Sequence, residues 1–176
     1  MRGSGRYNRA NMFDTASIRV IMPVLLTMVS AQAMAQPVTS PLAGMWKITG
    51  WEAKSAANPV IRPYGDHPGG YYYFSAGGHF MFMMAGDNRN TPPPGPLTDG
   101  VAARLFATMA ALDGTYKVDG DNKFVIHVEH SWNQSWTGTN QNRDFRIDGN
   151  RLTITFTAKN VAGEELFATI NAERAE

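Results

Sequence analysis

The 176-residue chain has no cysteine, which excludes disulfide frameworks, cysteine-based zinc sites and thiolate nucleophiles. It also lacks an excess of either charge, with 16 Lys+Arg against 15 Asp+Glu, so no basic face for nucleic acid is expected. Long apolar runs are missing: VIMPVLLTMV, residues 20–29, falls well short of the roughly 20 residues that a membrane-spanning helix needs. Neither the H-E-x-x-H spacing of a zinc helix nor a G-x-S-x-G nucleophile turn occurs. Apart from Pro92-Pro93-Pro94 there is no low-complexity stretch. What is present, 43% hydrophobic and 18% charged residues, is the composition of a folded domain. Its chemistry must rest on histidines, carboxylates, arginines and aromatics.

Residues 1–35 differ in kind from the remainder. Arg2, Arg6, Arg9 and Arg19 precede the apolar run, and small residues ending Ala33-Met34-Ala35 follow it. A basic region, a short apolar region and an A-x-A site describe a secretory signal peptide, with cleavage expected after Ala35. Pro23 inside the run argues against a helix of the mature fold. Removing this segment leaves 12 basic and 14 acidic residues, a net of −2. The expected product is a periplasmic or secreted domain, residues 36–176, without a membrane span.

From residue 45 the pattern has period two, broken by turn residues. Strands are predicted over 45–51, 71–75, 79–84, 115–118, 123–131, 137–147, 151–158 and 165–174. Ala76-Gly77-Gly78, Asp119-Gly120-Asp121-Asn122 and Asp148-Gly149-Asn150 are hairpin signals between them. One helix is predicted over 98–112, capped by Thr98 or Asp99, with Val101, Leu105, Met109 and Leu112 on one stripe. The fold class expected is all-β: about eight strands in an antiparallel up-and-down barrel, with one helix between early and late strands. Such a barrel has an interior that side chains fill or that holds one small ligand.

The residues that carry a likeness are Gly44-Met45-Trp46, the G-x-W opening of lipocalin-type barrels, followed by Pro63-Tyr64-Gly65, Pro68 and Gly70-Tyr71. The stretches 114–121 (GTYKVDGD), 127–131 (HVEHS), Trp136-Thr137-Gly138-Thr139 with Arg143, and 149–153 (GNRLT) continue it. The chain resembles the bacterial and fungal lipocalin-like domain family over nearly all of residues 36–176. The resemblance implies a small barrel with an internal pocket and says little of activity, because fold does not fix function.

Strand parity nominates the site. On 137–147, Asn140, Asn142, Asp144 and Arg146 form a polar face, which turns Gln141 and Arg143 inward beside Phe145. A buried guanidinium needs a partner: a ligand carboxylate or enolate, Glu129, a tyrosine oxygen, or a structural ion pair at the rim. On 123–131 two readings stand. Either Phe124, Ile126 and Val128 face inward and His127 and Glu129 face water, or the helix covers the apolar set and places His127 and Glu129 in the pocket. In the second case His127 and Glu129 form an acid/base pair, with Arg143 and Tyr116 holding an oxyanion. Trp46, Tyr71, Tyr73, Trp136, Gln141 and Arg143 are candidate ligand contacts, although ordinary barrel core would also explain the aromatics.

Two functions compete. The first is an exported barrel that binds a small hydrophobic or aromatic molecule. The alternative is a cofactor-free isomerase, cyclase or lyase acting on a small hydrophobic carbonyl or phenolic substrate. No cofactor, metal or nucleic acid is expected, and the chain is expected to act as a monomer or homodimer. Residues 87–96 and the helix after them are expected to form a lid over one mouth of the barrel.

Overall fold

The computed structural model describes residues 40–87, 89–90, 94–159 and 164–175. The predicted signal segment lies outside them. Eight strands are present: β1 (Gly44–Lys54), β2 (Gly69–Phe74), β3 (His79–Ala85), β4 (Met109–Asp119), β5 (Lys123–Ser131), β6 (Asn140–Asp148), β7 (Arg151–Lys159) and β8 (Glu165–Arg174). Each pairs antiparallel with the next, and β8 returns to β1, so the barrel closes in simple up-and-down order. Closure removes exposed strand edges, which would otherwise template association.

Inward residues alternate along each strand and are apolar, as in Phe80, Phe82 and Met84 of β3 or Phe124, Ile126 and Val128 of β5. One end of the barrel is solidly packed. There Phe74 meets Tyr116 and Phe124 edge-on at 5.0 and 5.7 Å, and Phe124 meets Phe145 at 5.8 Å. Trp46 plugs this end. It is fully buried, its Nε1 donates to Leu42 O at 2.8 Å, and the Arg174 guanidinium covers its ring at 4.0 Å. Arg174 also donates to Ala43 O at 3.0 Å, which ties the chain's lead-in segment across the plug.

Two bulges shift the pattern. In β1 the register against β8 slips between Ile48 and Gly50, so buried positions run Trp46, Ile48 and then Ala53, with Trp51 brought to the interior side. In β5 the slip lies opposite Asp113/Gly114, and Glu129 and His130 are consequently both exposed. Gly114 is required at this slip: its φ is +150°, and a Cβ there would lie 2.0 Å from His127 O.

The helix is shorter than predicted. α1 spans Asp99–Ala107, with Thr98 as N-cap accepting from Val101 N at 3.4 Å. It ends at Thr108, whose hydroxyl donates to Arg104 O at 2.9 Å. Met109 to Leu112 instead begin β4, pairing Met109 with Ala85 and Leu112 with Phe82. Their spacing suits either structure, and the free edge of β3 decides between them. No residue of α1 is buried. A single 3-10 turn at Gln134–Trp136, not anticipated from the sequence, connects β5 to β6.

Candidate ligand cavity

Opposite the packed end the barrel opens into a cavity of about 540 Å³, within the range that encloses small molecules. Its depth is lined by Tyr72, Phe82, Ile126 and Ile170, from β2, β3, β5 and β8. Two aromatic pairs frame the mouth. Trp51 meets Tyr64 edge-on at 5.2 Å, and Trp132 meets Trp136 edge-on at 4.9 Å. Of the expected lid, only Ala110 and Leu112 line the cavity, and they do so as residues of β4; α1 approaches the mouth through Phe106, whose ring centre lies 6.1 Å from that of Trp132. Residues 88 and 91–93 of that segment lie outside the described residues.

Arg143 faces inward from β6, as parity predicts, and lines the cavity. Its Nη1 donates to Asn142 O at 3.0 Å, its Nη2 donates to Gln141 Oε1, and its guanidinium lies 4.0 Å from the centre of the Phe156 ring. Among the described residues no carboxylate pairs with it. Burial lowers its pKa, and the nearby Tyr72 partly opposes that shift. Burial in turn pushes the Tyr72 phenol well above its ordinary value, with Arg143 pulling the other way. Both groups line the same cavity. Gln141 serves as the hydrogen-bond acceptor that holds Arg143, and Trp136 stands at the mouth.

The other sequence candidates fall elsewhere. His127 and Glu129 are exposed on the outer face, and His127 Nδ1 hydrogen-bonds Asn140 Oδ1 at 2.9 Å across the strands. The first reading of β5 therefore holds: α1 lies beside β4 and does not cover the apolar face of β5, which forms the core instead. Tyr116 is inward but sits in the packed end, its hydroxyl committed to Ser75 O at 2.9 Å. Trp46 is the plug, not a cavity wall. Tyr71 and Tyr73 point outward, each 47% exposed, opposite Met83 and Met81 on the barrel's outer surface. Their alternates Tyr72 and Phe74 take the interior positions.

Two cavity residues, Tyr72 and Trp51, were not among the candidate ligand contacts. Tyr72 follows from β2 parity once the outward pairing of Tyr71 with Met83 is known. Trp51 does not, because the β1 bulge inverts its parity. Among the described residues, Asp113, Glu129 and His130 alone approach closely enough to share a metal ion. They lie on the outer face, and His130 Nδ1 already bonds Asp113 Oδ1 at 2.8 Å. That contact raises the His130 pKa through the hydrogen bond and the Asp113 charge.

A closed eight-stranded up-and-down barrel, plugged at one end by the tryptophan of a G-x-W opening and hollow at the other, defines a lipocalin-type architecture. The lipocalin-like domain model matches residues 43–175, and the chain belongs to that family. No curated protein matches it.

Proposed function

We propose that this barrel binds a small hydrophobic or aromatic molecule in its cavity and that the chain is exported. The basic, apolar and A-x-A order of residues 1–35 supports export. The observation that carries the binding reading is the cavity itself, with apolar walls at depth and aromatic pairs at the mouth. Among the described residues no histidine, aspartate or glutamate lines it. His127 and Glu129 are exposed on the outer face of β5, which supports binding over the acid/base alternative. Titration with N-phenyl-1-naphthylamine, a neutral fluorophore that brightens in apolar surroundings, tests the reading. One saturable, blue-shifted site per chain is expected. A signal that never saturates would refute an enclosed site.

A further inference from the structure

We propose that the molecule held in the cavity is an amphipathic acid, with its apolar body against the walls and one carboxylate seated between the Arg143 guanidinium and the Tyr72 hydroxyl. This rests on the binding reading above and deepens it. The side chains facing the cavity are unbalanced in charge. Arg143 and Lys159 line it, and no acidic residue among those described does. Taking a guanidinium from water into apolar surroundings is unfavourable unless an anion or a full set of acceptors compensates it.

Arg143 has only part of that compensation. Its two hydrogen bonds go to neutral oxygens of its own strand, Asn142 O and Gln141 Oε1. A guanidinium carries five N–H donors in a planar fork, so donors remain for a ligand. Phe156 covers one face of the fork, and Gln141 braces one of its terminal nitrogens. Those contacts fix the plane of the group, which suits bidentate capture of a carboxylate better than a freely rotating ammonium would.

Tyr72 is the second, independent observation. It lines the cavity, and its hydroxyl makes no hydrogen bond to another described residue. No buried side-chain polar atom among the described residues is left unpaired, so this hydroxyl reaches the open space of the cavity, where a ligand can meet it. An anion between Tyr72 and Arg143 would accept from both. A neutral hydrocarbon would leave the cation and the hydroxyl desolvated together. Lys159, exposed at the mouth, adds long-range attraction for an incoming anion.

The test is displacement of N-phenyl-1-naphthylamine by dodecanoate and by dodecanamide, which share a chain and differ in charge. Dodecanoate should bind at least ~10-fold more tightly, the scale of a hydrogen bond to a charged group. Arg143→Gln should bring the acid down to the amide, read as the ratio of their two affinities within that variant, whatever its affinity for the fluorophore. Arg143→Lys, which keeps the charge and loses the fork, should retain a reduced preference. Equal binding of acid and amide to the unaltered protein overturns the proposal and leaves the apolar pocket standing. An undiminished preference in Arg143→Gln also overturns it, assigning the anion to another cation. Failure of the fluorophore to bind removes the pocket reading and this inference with it. Should Arg143→Gln not fold, the acid/amide ratio of the unaltered protein and of Arg143→Lys still decides.

Discussion

Replacing Arg143 with methionine separates a residue kept for a ligand from one kept for the fold. Methionine follows the aliphatic stem of arginine and fills similar apolar space. The substitution gives up two hydrogen bonds, to Asn142 O and Gln141 Oε1, and the contact with the Phe156 ring. Hydrogen bonds to a charged group are worth about 1.5–3 kcal/mol each when both partners would otherwise be left buried. Here the acceptors are spared most of that penalty: Asn142 is exposed, and Gln141 is half-buried beside the mouth. Against the loss stands the partial desolvation of a guanidinium that has no carboxylate partner among the described residues. The balance favours the variant by about 1 kcal/mol, or about 3 °C in Tm for a domain of this size. Thermal unfolding of the ligand-free protein measures it. A drop of more than about 1 kcal/mol would refute the reasoning and make Arg143 a structural keystone.

Two further outcomes follow from the outer wall. Gly114→Ala should destabilise the barrel by at least ~2 kcal/mol in urea unfolding, because a strained φ and a clash with His127 O must both be relieved; a change under 0.5 kcal/mol would contradict the bulge geometry. By NMR titration His130 should ionise above the ordinary histidine value, and Asp113→Asn should return it toward that value. Because the folded-state pKa is the raised one, the stabilisation is complete below about pH 6.5, the unfolded value. It is lost as the pH rises through the folded pKa. A His130 that titrates at the ordinary value in the unaltered protein would show that the Asp113 contact is not maintained in solution.

Much of the fold was legible because period-two alternation and Gly/Asp/Asn turns are local signals. Parity on β6 alone turned Arg143 inward, since Asn140, Asn142, Asp144 and Arg146 could not all be buried. The errors came from places where a neighbour decides. Met109 to Leu112 read as helix because their spacing serves either structure, and pairing with β3 made them strand. The aromatic run of β2 gave no indication which of Tyr71 and Tyr72 faced inward, since both faces are aromatic. Bulges did the rest. One extra residue in β1 rotates Trp51 to the cavity side, and one in β5 leaves Glu129 and His130 both exposed. A one-residue slip reverses every later side chain, and nothing in a single sequence announces it. Trp46 and Tyr116, named as a ligand contact and an oxyanion holder, sit in the packed core and not on the cavity wall, a distinction of depth that the sequence pattern does not carry.

The proposed binding site is the hollow end of the barrel and not its surface. The outer face offers a competing surface, with Tyr71, Tyr73, Met81 and Met83 each about half exposed. Ala158 distinguishes the two, being half-buried on β7 and lining the cavity. Ala158→Trp fills that space and leaves the outer face of β2 and β3 untouched. Titration of both proteins with N-phenyl-1-naphthylamine should give one saturable site in the unaltered chain, with affinity at least ~10-fold weaker in the variant. Equal affinity in the two proteins would place the fluorophore outside the barrel and rule out the cavity as its site.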